Sequence, residues 1–244
     1  MNFKESRLSY SSLKAFAKSP KHFIQYKTEP FDSASMALGR ATHTWILEGQ
    51  GAFDKQYAIS PKLDRRTKIG KEMYAEFQDQ VGDRVVITRQ EFDLVRAMDK
   101  AVYENTAAQQ LLEDTYREVW KERDIQGQLF GGFADAVSPN GLFALDLKTC
   151  QNASPDAFQR DAHNMDYHLQ AAIYRHLFDV DRFYWICVES KSPHTVAVYV
   201  QSEQAQDAGD RRLMMLLERW RRWDGQAADY FEGVKTLDLP RWAV

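Results

Sequence analysis

One short segment near the middle of the chain places three charges where two buried strands are expected. Residues 131–150 read GGFADAVSPNGLFALDLKTC. Two apolar runs flank SPNG at 138–141, whose residue types favour a tight turn, and this pattern predicts a β-hairpin. The two predicted strands nevertheless carry Asp135, Asp146 and Lys148. Because burying unpaired carboxylates is unfavourable, such a hairpin needs a partner that offsets their charge.

A divalent metal ion would allow these three charges to coexist. Asp146 and Lys148 are two residues apart on one strand and point to the same face, and Asp135 lies across the turn. Mg²⁺ prefers hard oxygen ligands and typically binds one or two carboxylates together with waters and phosphate. A lysine nearby can position or deprotonate a water, or neutralise charge on phosphorus. The alternative explanation is an ordinary ion-paired set at a sheet edge.

Composition limits the kinds of protein that can hold such a site. The 244 residues have a formal net charge of −3, so any surface that binds nucleic acid must be a local patch. The two cysteines, Cys150 and Cys187, form no CxxC motif, which argues against a disulfide scaffold, a zinc ribbon and a four-cysteine iron–sulfur cluster. The sequence has no signal-peptide pattern and no apolar run approaching the roughly 20 residues of a membrane span. We therefore expect a cytoplasmic protein without a membrane segment.

Hydrophobic periodicity predicts an α/β fold in a single domain over residues 1–244. Residues 1–115 are predicted to be mainly helical, with a capping box at Thr88 and Glu91 ahead of one helix. Residues 116–244 alternate between strands and helices, which predicts a mixed central sheet flanked by helices. The predicted strands of this second part cover 117–121, 128–137, 142–149, 183–189 and 195–200, and its clearest helices cover 166–178 and 203–223.

Three further polar residues have positions that suit a functional site. Gln170 and Tyr174 are four residues apart, so they share one face of a helix and can hydrogen-bond a phosphate or a metal-bound water. A surface glutamine beside a half-buried tyrosine is the simpler alternative. The opposite face is expected to form the core contact through Leu169, Ala172, Ile173 and His176. His43 lies among apolar neighbours in GRATHTWILE, where a histidine bonded to a carbonyl is the ordinary expectation.

The order of these motifs is similar to that of PD-(D/E)xK nucleases. Ala134-Asp135 corresponds to the PD element, Asp146-Leu147-Lys148 to D-x-K, and the following Q-x-x-x-Y helix resembles the RecB-like branch. Over Leu8 to Trp242 the chain resembles the nuclease domain of RecE-type exonucleases (exonuclease VIII). The segments that carry this resemblance are SYSSLKAFAKSPKHFIQYK, ALGRATHTWILE, SPKLDRRTKIGKEMYAEF, FADAV, LDLKT, YHLQAAIY and TLDLPRWA.

The resemblance implies a restriction-endonuclease-like core and a role for each matching residue. It implies metal ligands at His43, Asp135, Asp146 and the backbone carbonyl of Leu147. It also implies that Asp135, Asp146 and Lys148 are catalytic, with Gln170 and Tyr174 as a supporting pair. Glu118 is a poorer match to a further acidic residue. Mg²⁺ is the expected cofactor, and Mn²⁺ is an expected substitute because imidazole is a softer ligand than Mg²⁺ prefers.

Basic residues of the first half are candidates for contact with DNA. The segment KLDRRTKIGK contains Arg65, Arg66, Lys68 and Lys71, which fit contact with a phosphate backbone without sequence specificity. A solvated charged loop is the alternative. Arg40, one turn before His43, is a candidate for binding a 5′-phosphate, and Thr149 is a further candidate for contact with DNA.

The activity implied by the resemblance is Mg²⁺-dependent 5′→3′ degradation of one strand of linear double-stranded DNA, which leaves 3′ tails for recombination by strand annealing. The resemblance also implies a ring-shaped homo-oligomer (a trimer or tetramer), a RecT-type single-strand annealing protein as partner, and a phage or prophage origin. Two alternatives stay open: an endonuclease of the same superfamily, and a non-catalytic recombination scaffold that binds DNA ends. A Cas4-like nuclease is disfavoured because its iron–sulfur cluster needs cysteines that this chain lacks.

Overall fold

The structure is a computed structural model that describes residues 6–29, 32–64, 66–229, 233–234 and 236–238. Arg65, one of the predicted DNA contacts, lies outside the described residues, as do residues 239–243 of the TLDLPRWA segment. Among the helices of the described part, none is both long and apolar enough to cross a bilayer.

Most of the described helices begin at a Ser, Thr or Asn whose side chain accepts a hydrogen bond from a free backbone amide. The predicted capping box is confirmed, since Thr88 Oγ1 accepts from the Glu91 amide and Glu91 Oε2 accepts from the Thr88 amide at 2.7 Å. The helices are α1 (Tyr10–Lys18), α2 (Pro20–Thr28), α3 (Ala34–His43), α4 (Gln50–Gln56), α5 (Lys68–Val81), α6 (Arg89–Glu104), α7 (Thr106–Leu112), α8 (Pro155–Asn164), α9 (Tyr167–Phe178) and α10 (Glu203–Arg222). A π-helical turn over Thr44–Glu48 directly follows α3.

The strands form one mixed sheet and one small parallel pair. The pair consists of β1 (Tyr57–Ile59) and β2 (Val85–Ile87), which the sequence did not predict. The main sheet has the order β3-β4-β5-β6-β7 and consists of β3 (Tyr116–Ile125), β4 (Gln128–Val137), β5 (Phe143–Cys150), β6 (Arg182–Glu189) and β7 (Val196–Val200). Only β5 and β6 are parallel, so the predicted mixed α/β sheet is confirmed.

Helices cover both faces of the main sheet, which explains its apolar strands. On one face, α9 and α10 contribute a buried cluster that includes Leu169, Leu177 and Leu213. On the other face, α6 and the π-helical turn pack against β5 and β6 through a second cluster, which includes Met98 and Ile46. Since successive strand residues point to opposite faces, β5 is buried on both sides.

The strands β4 and β5 separate almost at once, and this separation positions the site. They pair only at Ala136–Leu145 and Val137–Ala144, whereas β5 and β6 pair along their whole lengths. On the side where the strands separate, the next residue after Ala136 on β4 is Asp135, and the next residue after Leu145 on β5 is Asp146. The two carboxylates therefore stand on either side of the gap at the point where it opens.

Candidate active site

Asp135 lies in the gap between β4 and β5 and connects it to α3. Its Oδ2 accepts a hydrogen bond of 2.6 Å from the main-chain amide of Leu147 on β5. The same oxygen lies 3.3 Å from Nδ1 of His43, the last residue of α3. Asp135 is 8% exposed, so both contacts are made by a buried carboxylate. The side chain thus occupies the place where strand pairing has been lost.

Three side chains from different elements converge to form a possible cation site. One ligand atom from each of His43, Glu118 and Asp135 lies within 4.8 Å of the others. Glu118 and Asp135 lie between the register pairs Arg117–Ala136 and Val119–Ala134 of β3 and β4, and the φ of Glu118, 49°, is a left-handed conformation that is uncommon outside glycine. One imidazole nitrogen and two carboxylates suit Mn²⁺ and, less ideally, Mg²⁺, so the residues present fit a divalent ion.

The electrostatics of these three groups show how the protein tolerates them without an ion. Burial alone would lower the pKa of His43, but Asp135 raises it to about 9, so the ring is an imidazolium at neutral pH. Burial alone would raise the pKa of Asp135, but His43 and the Leu147 amide hold it below its usual value. Burial and then Asp135 raise the pKa of Glu118 to about 7. A proton on His43 thus supplies the positive charge that a metal ion would otherwise supply.

Asp146 lies on the other side of the gap with Lys148 and Gln170. Its Oδ1 accepts a 2.5 Å hydrogen bond from Gln170 Nε2, and its Oδ2 lies 2.7 Å from Lys148 Nζ. Burial and the charge of Asp135 raise the pKa of Asp146, although Lys148 opposes this. The pKa of Lys148 is raised because Asp146 outweighs the effect of burial. The carboxylate and the ammonium therefore form a buried ion pair beside the cluster.

One buried oxygen at this position, Gln170 Oε1, has no hydrogen-bond donor among the described residues. Asp146 Oδ2, by contrast, is paired with the Lys148 ammonium at 2.7 Å. Buried acceptors normally have a partner. The position of Gln170 Oε1 beside the convergence of His43, Glu118 and Asp135 fits a bound hydrated cation, whose waters are donors. Asp146 itself lies outside that converging set, and its role as a direct ligand stays a prediction.

The prediction for the helix that carries Gln170 was partly wrong. Gln170 is buried, whereas His176, which was expected to face the core, is exposed and pairs with Asp210 of α10. The reason is that α9 is enclosed by the sheet and α10, so the face that bears Gln170 and Tyr174 is itself packed inward. The Tyr174 hydroxyl lies against Gly132 of β4, where a Cβ would stand 3.1 Å from it. Burial raises the pKa of Tyr174.

An open cleft of about 640 Å³ leads from the surface to these groups. His43, Glu118, Asp135 and Lys148 line its inner end. Arg40 and Thr149, both predicted DNA contacts, also line it; Gly39 allows α3 to approach β5 here, because a Cβ would lie 3.3 Å from Thr149 Oγ1. In this structure Arg40 forms an exposed ion pair with Asp32 at 2.5 Å.

The described residues of the basic segment do not line this cleft. Arg66 lies 3.3 Å from Asp64, and Lys68 lies 3.9 Å from Glu72. Lys71 is exposed on α5. Their assignment to DNA binding stays a prediction.

Comparison with known proteins assigns the fold to a family. The profile of the family described as "PDDEXK-like domain of unknown function (DUF3799)" matches residues 9–228. The chain belongs to this family. The PDDEXK-like assignment confirms the predicted superfamily.

A search of solved structures finds a protein with a similar fold. The protein described as "Putative exonuclease" from Eubacterium rectale is 13% identical, with a TM-score of 0.64 over 90% of this chain and 81% of that chain. A phage related exonuclease from Haemophilus somnus 129PT is 12% identical over 88% of this chain and 94% of that one, and its TM-score of 0.40 is too low to support an argument. No curated protein matches the sequence.

The structure adds site residues that the sequence did not single out. The Lys148 ammonium lies 4.9 Å from the centre of the Tyr167 ring, a cation–π contact that holds it beside Asp146. The Leu147 amide is a donor to Asp135, whereas only its carbonyl had been considered. The segment YHLQAAIY contains both Tyr167 and Tyr174, and sequence spacing does not show which of them contacts Lys148. That contact depends on where α9 crosses β5.

Proposed function

We propose that this chain is a divalent-metal-dependent exodeoxyribonuclease, with Mg²⁺ as its ion, that degrades one strand of linear double-stranded DNA from the 5′ end. The observation that carries the proposal is the convergence of His43, Glu118 and Asp135 at the end of an open cleft, with Lys148 beside them. The PDDEXK-like fold supports phosphodiester hydrolysis as the reaction. The RecE-like order of motifs supports the 5′→3′ direction and the preference for ends.

The residues that would hold the ion are His43, Glu118 and Asp135, with Asp146 as a further ligand. The Leu147 carbonyl is also suitable, because the amide and carbonyl of a strand residue point to the same side and the Leu147 amide points to Asp135. When bound, the ion would polarise the scissile phosphate and lower the pKa of a water. Its binding requires loss of the proton on His43, since only neutral imidazole is a ligand.

The protein's own side chains have separate roles in this proposal. The Lys148 ammonium donates hydrogen bonds to the attacking water or to a phosphate oxygen, where positive charge stabilises the transition state. Gln170 holds Asp146 in place through its hydrogen bond to Oδ1. The Tyr174 hydroxyl is a further donor at the β4 side of the gap. Arg40 and Thr149 contact the DNA backbone along the cleft, and Arg40 exchanges Asp32 for a 5′-phosphate.

The biological role follows from the products of such a reaction. Digestion of one strand from each end leaves 3′ single-stranded tails, which are substrates for strand annealing. We therefore propose a RecT-type single-strand annealing protein as the partner and recombination of phage or prophage DNA in the bacterial cytoplasm as the setting. A ring-shaped trimer or tetramer around the DNA is part of the same proposal.

The test is digestion of linear duplexes labelled at one end or the other. We expect Mg²⁺-dependent release of the 5′ label as mononucleotides, late release of the 3′ label, and no cleavage of covalently closed circular DNA. The matched control is Lys100→Ala, an exposed lysine of α6, which should leave the rate unchanged. Cleavage of the closed circle would instead support an endonuclease, and binding of ends without cleavage at any metal concentration would support a scaffold.

A further inference from the structure

Two aromatic side chains are exposed close to the candidate active site. Trp120 on β3 and Phe133 on β4 are directly opposed in the strand register, and their ring centres are 4.7 Å apart. Trp120 is 41% exposed and Phe133 is 53% exposed. An aromatic cross-strand pair stabilises a hairpin by itself. Stability alone, however, does not require two large rings to stay half in water.

The register places this aromatic pair immediately beside the candidate metal cluster. Glu118 is two positions from Trp120 on β3, and Asp135 is two positions from Phe133 on β4, which is a separation of about 7 Å along each strand. Trp120 and Phe133 therefore lie within one nucleotide's reach of the carboxylates that would surround a scissile phosphate.

The two rings also lie on the same face of the sheet as the cleft. Their neighbours Lys121 and Gly132 face α9, since Lys121 Nζ donates to the Phe178 carbonyl and Gly132 lies against Tyr174. Because strand residues alternate, Trp120 and Phe133 point to the opposite face. This is the face on which the π-helical turn after α3 packs against β5, and α3 lines the cleft.

An arginine lies at the edge of the aromatic pair. The guanidinium of Arg7 lies 4.7 Å from the centre of the Trp120 ring and pairs with Glu122. The Arg7 side chain crosses over Gly131, where a Cβ would lie 2.7 Å from it, so a glycine is needed for this approach. A cation beside an exposed aromatic surface is the combination that binds single-stranded nucleic acid, in which bases stack on rings and phosphates meet positive charge.

We propose that Trp120 and Phe133 form a stacking platform for an unpaired base of the DNA strand being cut, next to the scissile phosphate. This inference rests on the proposed nuclease function and names the form in which that site takes its substrate. The base must be unpaired because rings inside a duplex already stack on one another, and only a strand that has left the duplex offers a free face. Since every base has such a face, the platform is tolerant of sequence.

The first experiment measures binding of a 5′-phosphorylated single-stranded oligonucleotide in EDTA by fluorescence anisotropy. We expect Trp120→Ala and Phe133→Ala each to weaken binding about 5- to 100-fold, the range for loss of one stacked base. Trp120→Phe and Phe133→Tyr keep a ring and should bind nearly as wild type does. The control is Met215→Ala, which removes a 64% exposed apolar side chain from α10.

A second substrate separates stacking from a general loss of structure. In an oligonucleotide with abasic sites throughout, no base can stack, so wild type and the two alanine variants should bind equally weakly. Alanine variants whose affinity falls by the same factor on abasic and on normal DNA would overturn the proposed platform. A wild-type protein that does not bind the normal oligonucleotide would also overturn it. Undiminished binding by both alanine variants would also overturn it.

The two proposals fail in different ways. A wild-type protein that binds single strands through the platform but cuts no DNA at any metal concentration would refute the nuclease and leave the platform standing. A protein that digests linear duplex while both alanine variants bind and cut as wild type does would refute the platform alone.

Discussion

The carboxylate of Asp135 and the main-chain amide of Leu147 are joined by a 2.6 Å hydrogen bond across the gap between β4 and β5. In a continuous sheet that amide would bond to a main-chain carbonyl. Here a side chain takes the carbonyl's place, and the same oxygen faces His43. Asp135 therefore has a structural contact with the Leu147 amide and a contact with His43 at the candidate active site, and different substitutions of Asp135 can separate the two.

Replacement of Asp135 by Asn should abolish cleavage and remove the stabilisation that His43 gains from the carboxylate, but the amide oxygen still accepts from Leu147. Replacement by Ala should abolish cleavage and lower the free energy of unfolding by about 1–3 kcal/mol more than Asn does, since a buried donor also loses its acceptor. Denaturant unfolding in EDTA beside a nuclease assay measures both effects. Equal stability of the two variants would contradict the structural role of the hydrogen bond.

Replacement of Glu118 by Gly should make the metal-free protein more stable by about 1 kcal/mol, because Gly relieves the φ of 49°. It also removes a half-buried carboxyl whose pKa burial raises to about 7. The same change should weaken Mn²⁺ binding at least tenfold in a calorimetric titration. Glu118→Gln is the matched control, which loses the charge and keeps the backbone conformation. Unaltered Mn²⁺ affinity in both variants would remove Glu118 from the ion site.

The metal-free protein should lose stability as the pH rises from about 6.5 to about 9. His43 has a raised pKa of about 9 in the folded protein because Asp135 outweighs the effect of burial, and an unfolded histidine has a pKa of about 6.5. The folded state thus binds an extra proton in this window. The contribution of protonated His43 to the free energy of unfolding is therefore complete below pH 6.5 and is lost as the pH rises to about 9. Thermal unfolding in EDTA measures this, and His43→Gln should flatten the dependence. An identical slope in wild type and variant would show that His43 does not keep its proton.

Replacement of Lys148 by Ala should lower the cleavage rate at least 100-fold, the usual effect of losing a group that stabilises transition-state charge. The fold should survive, since the buried Asp146 can protonate when its partner is removed, and its pKa is already raised. Far-UV circular dichroism and Mn²⁺ titration are the accompanying measurements. A variant that cuts at the wild-type rate would rule out a catalytic lysine here.

Much of the fold could be predicted because local patterns agree with it. The strand over Gln128–Val137 was predicted at its exact bounds, and the helix over 166–178 begins one residue later than expected. Some short elements, such as β1 and α7, were not predicted because they contain too few repeats of the hydrophobic pattern. They depend on contacts with distant segments.

The site was predictable in its residue types and less so in its geometry. Asp135, Asp146 and Lys148 come from one hairpin, so the sequence places them near one another. Glu118 was a poor motif match, and its convergence with Asp135 depends on the β3–β4 register and on a left-handed backbone that no residue type signals. The burial of Gln170 was not predicted, because the sequence around a glutamine does not show whether its side-chain amide bonds to a buried carboxylate or to water.

The two-pair contact between β4 and β5 has a mechanical consequence. The acidic groups belong to two half-sheets, one formed by β3 and β4 and the other by β5, β6 and β7, and little main-chain pairing couples them. A cation bound by groups of both half-sheets would link them across the gap. Apolar packing joins the two half-sheets without an ion, so a bound ion would add rigidity locally, where the carboxylates face each other across the gap.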